Sequence, residues 1–288
     1  MRAIFRHEVS SYFTNLSAYV FCLFLLLFGG IYTMVYNLQY MYANFEYVMG
    51  SMSFVFLITI PVLTMRVLAE EKRQKTDQLL YSLPISMAQV VCGKYAAMLV
   101  MLLIPVGIIC LYPLILSTYG NMYLPAGYSA ICGFFFLGAS LIAIGTYISS
   151  VTENQAFAAG LCFVIMLLNY YVSDLAAFVP ATAGASLIAF SMLGLLFGLV
   201  VYLMTKNTYA ALFTSLIIEA GLLIVYLIDA SLYEGLFSQI MTHLSLFDRF
   251  YVFVNGVFDL KAIVYFISVI GLFLFLSVQS MEKRRWSE

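Results

Sequence analysis

Three acids and three bases fall between Glu70 and Asp77, in a chain that carries charge on only 9% of its residues. The stretch reads Glu70-Glu71-Lys72-Arg73-Gln74-Lys75-Thr76-Asp77-Gln78-Leu79-Leu80-Tyr81-Ser82-Leu83-Pro84 and runs on to Gly93-Lys94. On a helix, Glu71 and Lys75 stand at i,i+4 in the favourable order, and Arg73 reaches Asp77 in the same way. Pro84 ends that helix, because it lacks an N–H and pushes the residue before it out of the α region. Ser86, with Gln89 three residues on, reads as the capping box of a second short helix from about Met87 to Gly93. Two short helices at a sharp angle make a rigid knob, charged on one side and lined by Leu79, Leu80 and Leu83 on the other. The chemistry this offers is docking by complementary charge.

Bond-making chemistry finds no equivalent cluster. Gly93-Lys94 is followed by Tyr95, and Ala88 stands where a phosphate loop needs its first glycine, so the chain holds no nucleotide cradle. The two histidines, His7 and His243, are far apart and build no zinc site of the H-E-x-x-H kind. No histidine lies within an apolar run to activate a serine. No catalytic residue and no metal ligand set is assigned. One carboxyl stands out: Glu219 lies in the middle of an apolar run, where a charge is costly. It reads either as a possible intramembrane polar site, for substrate or a partner, or as a protonated or hydrogen-bonded carboxyl inside a bundle. Glu46, Asp174 and Asp229 fall at the ends of apolar runs, where they read as reaching water in preference to forming a polar patch for substrate or a partner.

The elements that must position these groups are membrane spans. The chain is 64% hydrophobic over 288 residues, and a soluble domain of that size needs far more charge to cover its surface. Runs long enough to cross a hydrocarbon core of about 30 Å occur at 18–38, 47–66, 95–117, 127–150, 156–176, 182–204, 209–229 and 260–280. The fold class is therefore an all-α polytopic membrane protein of about eight transmembrane helices. It forms a single domain over 1–288, with a charged cytoplasmic segment at 67–94. The first apolar run is too long for a cleavable signal. Ahead of it, residues 2–17 place Ile4, Phe5, Val9, Tyr12, Phe13 and Leu16 on one stripe, which predicts an N-terminal helix lying in the membrane interface. In 230–258, Leu232, Leu236, Ile240, Leu244, Phe247 and Tyr251 recur at helical spacing and predict an amphipathic extracytoplasmic helix. Tyr32, Tyr36, Tyr40 and Tyr47 form an aromatic belt at the first outer turn. Gly29, Gly30, Gly133, Gly138 and Gly145 permit close helix packing or a dimer seam.

Orientation follows from the basic residues. With eight spans and a cytoplasmic N-terminus, Arg2, Arg6, Arg66, Lys72, Arg73, Lys75, Lys94, Lys206, Lys283, Arg284 and Arg285 are inside, and only Arg249 and Lys261 are outside. Eleven against two places both termini and the knob on the cytoplasmic side of a cell membrane. A net charge of −1 gives no electrostatic case for nucleic acid.

In four places the chain resembles the ABC-2 type permeases, particularly the branch of gliding-motility and copper-assembly permeases. Glu70–Leu83 with Pro84 and Gly93-Lys94 is similar to that family's cytoplasmic coupling segment. Ser149-Ser150-Val151-Thr152-Glu153-Asn154-Gln155-Ala156 resembles its second cytoplasmic turn. Phe247, Phe250, Phe253, Gly256, Asp259-Leu260 and Tyr265-Phe266 resemble the approach to its last span, and Glu282-Lys283-Arg284-Arg285-Trp286 its tail. Between Gln155 and Phe247 the chain is longer by two spans than the shortest members.

The resemblance implies a permease subunit of an ATP-driven transporter, more an exporter than an importer, of bacterial origin. It would pair with a second permease copy or a related permease, amid membrane lipid. The chain itself would hold no cofactor. ATP and Mg would be bound by a separate ABC ATPase subunit, which would meet Glu70, Glu71, Lys72, Arg73, Lys75, Thr76, Asp77, Leu79, Leu80 and Leu83, with Glu153 and Asn154 of the second turn. Two other readings fit the residues. One is an ion-coupled secondary transporter using Glu219 and Asp229, though no internal repeat is evident. The other is a non-transporting membrane scaffold for an ATPase.

Overall fold

The computed structural model describes residues 2–14, 16–75 and 86–287, and every regular element among them is helical. In chain order these are α1 (Arg2–Thr14), α2 (Leu16–Thr33), α3 (Glu46–Met52), α4 (Phe56–Thr64), α5 (Ala69–Gln74), α6 (Met87–Ile109) and α7 (Leu111–Ser117). There follow α8 (Leu124–Val151), α9 (Gln155–Ala177), α10 (Ala183–Thr205), α11 (Thr208–Ile228), α12 (Leu236–Leu244), α13 (Leu246–Val254) and α14 (Leu260–Ser287).

Among the described residues, six stretches are long and apolar enough to cross a membrane: Ala18–Gln39, Glu46–Gln74, Met87–Ser117, Leu124–Val151, Gln155–Ala177 and Leu260–Arg285. They coincide with six of the runs read from sequence, and the chain is an all-α, multi-pass membrane protein. The other two runs fall on α10, of which Ala183–Leu199 qualifies as a shorter apolar helix, and on Leu212–Ile228, which bends by 119° into Ala230–Leu244.

Contacts divide the chain into two units, residues 1–168 with 249–288, and residues 169–248. At the centre of the first lies α8, packed against α14, α6, α4 and α3. Of its most apolar stretch 78% is buried, against 17% for α14. Small residues explain the close approach. A Cβ on Gly133 would lie 2.7 Å from the Phe253 ring, and one on Gly138 would lie 2.9 Å from both Phe56 and Leu102. A Cβ on Gly145 would lie 2.8 Å from Thr64. These three glycines, read as packing sites or a dimer seam, serve the chain's own helices. Phe134 fills the space between, its ring 4.2 Å from Phe56 and 6.1 Å from Phe250.

The first span ends in a π-helical turn, Met34–Gln39, and the predicted tyrosine belt is part of a longer ladder. Phe24, Phe28, Tyr32, Tyr36, Tyr42 and Tyr47 follow one another with ring centroids 6.1–6.4 Å apart.

In the second unit α10 and α11 form a hairpin that turns through Lys206, which is in the left-handed region at φ 50°. Ring contacts of Phe190 with Tyr233 and Phe237 hold the short helices after it. Asn169 accepts from the Leu246 N–H at 3.1 Å, and Ser173 donates to the Asp248 carboxylate.

Two expectations are corrected. The helix read over 230–258 is three pieces, a 3₁₀ turn at Ala230–Tyr233 and then α12 and α13. Gly235, at φ 69°, breaks the first junction. Ser245, with extended backbone and its Oγ accepting from the Asp248 N–H, breaks the second. The short helix read from Met87 to Gly93 does not stop there, because Gly93 is inside α6, which runs unbroken to Ile109. Its start was legible: Ser86 Oγ accepts from the Gln89 N–H at 3.3 Å.

Candidate functional site

Charged side chains collect where α1, α5, the start of α6, the end of α8 and the tail of α14 meet. The chain leaves α4 and re-enters a helix at Ala69 with no capping side chain of its own. The first N–H groups of a helix need acceptors, and both Leu68 N and Ala69 N donate to Ser149 Oγ of α8 at 3.1 Å. One turn later Lys72, only 4% exposed, donates to the carbonyl of Ser150. That carbonyl closes α8, where the helix dipole presents negative charge to a cation. The same oxygen accepts from Ser280 Oγ of α14 at 3.0 Å.

On the other side of α5 lies an ion triad. Lys94 Nζ is 2.7 Å from Glu71 Oε1 and 2.7 Å from Glu8 Oε1, with the lysine side chain 3% exposed. Tyr12 of α1 is buried beside it; burial pushes its hydroxyl well above the usual pKa, and Glu8 and Glu71 add to the shift.

In the turn after α8, Glu153 accepts from Arg284 Nη1 at 2.6 Å, and that guanidinium holds the Glu153 carboxyl below the usual glutamate range. Asn154 caps α9, its Oδ1 accepting from Ala156 N at 3.0 Å and Phe157 N at 3.4 Å. Its position in the turn therefore has a local explanation.

Of the predicted contact residues, Arg73 and Lys75 are exposed and Glu70 half-buried, its carboxylate accepting from Gln74 Nε2 at 3.3 Å. Glu71 faces Lys94. The i,i+4 ladder is cut short because α5 stops at Gln74 and Lys75 turns left-handed at φ 57°. Lys72 faces the chain's own carbonyl. Glu153 and Asn154 are exposed. Thr76, Asp77, Leu79, Leu80, Leu83 and Pro84 lie outside the described residues. Sequence reasoning missed Glu8 and Lys94 as partners; the signal was a single lysine at the mouth of an apolar run.

Glu219 belongs to the second unit, where its Oε1 is buried without a hydrogen-bond partner and lies 3.1 Å from where a Cβ on Gly194 would be. Asp229 is exposed and accepts from Ser231 N at 3.0 Å; Glu46, read as reaching water, is instead 6% exposed and accepts from Asn44 Nδ2 at 2.6 Å. Among the described residues, no three His, Cys, Asp or Glu side chains gather in a way that would hold a metal.

A multi-pass helical bundle with a tied, mixed-charge junction at the end that carries both termini has the form of a transporter's membrane component. The chain matches the family described as ABC-2 family transporter protein over residues 2–284, and it belongs to that family. It is accordingly a transport component of the membrane and is not itself the catalyst. No curated protein matches it.

Proposed function

We propose that the chain is the permease subunit of an ATP-driven exporter of hydrophobic or amphipathic substrates. In this reading a separate ABC ATPase subunit binds ATP and Mg and docks on the cytoplasmic junction. A second permease, identical or related, completes the path. The spans number eight, with α10 and α11 as the extra pair, and both termini are cytoplasmic in a bacterial cell membrane. Glu70, Arg73 and Lys75 meet the ATPase, together with Glu153, Asn154 and the 76–83 stretch. Glu71 and Lys72 act from within by holding α5 in place.

The observation that carries this reading is the fastening of α5. Exposed Arg73 and Lys75 stand on one turn and a half of helix whose other residues are capped by Ser149, bonded to Ser150 and paired with Lys94. A push on that surface is delivered to α8 and α6 together. Closure of the ATPase on ATP would thus tilt the spans.

The test is co-purification with an ABC ATPase subunit produced in the same cells, taken from an adjacent reading frame with a G-x-x-x-x-G-K-[ST] motif, for wild type and for Arg73→Glu with Lys75→Glu. Wild type is expected to retain an active ATPase and the reversed form to lose it while remaining folded. A wild-type subunit that purifies alone from cells making both would end the proposal.

The partnerless Glu219 Oε1 favours one other reading, an ion-coupled secondary transporter. Under it, Glu219→Gln abolishes proton-driven transport in vesicles that contain no ATPase.

A further inference from the structure

Lys94 joins two elements that are far apart in sequence. Glu71 is 23 residues before it and Glu8 86 residues before it, yet both carboxylates stand at 2.7 Å from the one ammonium. A second contact makes the same connection. A Cβ on Gly93 would lie 3.2 Å from Ile4 Cγ2 and 3.7 Å from Phe5 N, so α1 lies directly on α6 at this point.

We propose that Lys94, Glu8 and Glu71 fasten α1 to α5, so that the N-terminal helix travels with the segment that receives the ATPase and passes its motion to α2. Glu8 and Lys94 are positioning residues in this scheme; neither touches substrate or nucleotide. The inference rests on the reading of α5 given above.

The charge inventory makes the fastening specific. Three groups share one positive and two negative charges; the ammonium is closed to water while the Glu8 and Glu71 side chains are 16% and 24% exposed, so it is the lysine for which an unpaired charge is costly. The ammonium cannot leave one carboxylate for solvent without abandoning the other. Removing Lys94 would set two carboxylates against each other across α1 and α5. Neutralising Glu8 is gentler: it removes the charged tie of α1, which keeps its packing on α6 at Gly93, and leaves the Lys94–Glu71 pair to hold α5 on α6. Glu8→Gln therefore separates the two arms while keeping the fold.

The test uses the full permease–ATPase complex in nanodiscs. Spin labels on noncanonical residues replace exposed His7 on α1, exposed Gln74 on α5 and exposed Tyr119 beyond α7. Distances are read without nucleotide and with ATP trapped by vanadate. In wild type the 74–119 distance is expected to shift on ATP and the 7–74 distance to stay constant. In Glu8→Gln the 74–119 shift persists, and the 7–74 distance broadens and shifts. A wild-type 7–74 distance that changes with ATP, or a Glu8→Gln distance as constant as wild type, overturns the inference alone. A 74–119 distance that ignores ATP in wild type overturns the reading of α5, and this inference with it.

Discussion

Lys72 and Lys94 are the two buried lysines among the described residues, and each is tolerated for a different reason. Lys72 answers a helix C-terminus, a partial charge, while Lys94 answers two full carboxylates. Stripping such a buried charge of its last partner costs about 3–5 kcal/mol, enough to endanger a fold of ordinary stability, whereas Glu8→Gln leaves Lys94 paired with Glu71. The Glu153–Arg284 pair is different, since it lies at the surface and its value depends on pH. Arg284 lowers the Glu153 pKa below its unfolded value, so the pair's contribution is fully present above the ordinary glutamate pKa. It is lost as pH falls through the lowered one. The single tryptophan, Trp286, reports on the tail. Its fluorescence anisotropy is expected to fall across that acidic window in wild type and to stay low and flat in Glu153→Gln. An unchanged wild-type profile would mean the pair does not hold the tail.

Among the elements, α8 is the one whose packing leaves least room. A methyl group at position 145 meets Thr64, itself buried on α4, so Gly145→Ala is expected to destabilise by about 1–3 kcal/mol. A methyl at Gly30 finds nothing within 4 Å, and Gly30→Ala is expected to change stability by less than about 0.5 kcal/mol. Thermal unfolding of the two variants in detergent checks both, and equal melting temperatures would refute the packing argument. Element-scale features were the most legible in the sequence. Span length and apolarity located six helices, because a hydrocarbon solvent allows little else, although the second runs on to Gln74 and the third starts back at Met87, each about eight residues beyond the apolar run. The Ser86 cap was legible because its chemistry is local. Of the α1 stripe, Tyr12 is buried against the chain itself, while Phe13 is 46% and Leu16 77% exposed. The break at Ser245 was overlooked because apolar spacing continued across it, though Ser245 and Asp248 carried a capping signal. Of the ion triad only Lys94 stood out, as a lysine at the mouth of an apolar run; its partners did not. Spacing rules pair Glu71 with Lys75 four residues on, and nothing local says that a lysine at 94 and a glutamate at 8 will compete for it.

For the molecule as a whole, the second unit decides how often the chain crosses the membrane. The eight-span reading puts Lys206, at the tip of the α10–α11 hairpin, on the cytoplasmic side. A cysteine in its place is then expected to react with a membrane-impermeant maleimide in inverted vesicles and to resist it in intact cells. Labelling in intact cells would take the hairpin out of the eight-span topology. The basic-residue count pointed to this placement from sequence. The bend of 119° after Ile228 falls where the apolar run read from sequence ends, at Asp229, although no proline or glycine stands at the turn itself.

The Ser150 carbonyl accepts from both Lys72 and Ser280, and its neighbour Ser149 takes two backbone donors. An oxygen with both lone pairs occupied has no vacancy for water. A helix end in a membrane protein commonly ends in a hydrated fringe, and such fringes are where files of water begin. At the foot of α8 the fringe is replaced by side chains. In a subunit built this way, a file of water along the most buried helix would have no open carbonyl at Ser150 from which to start.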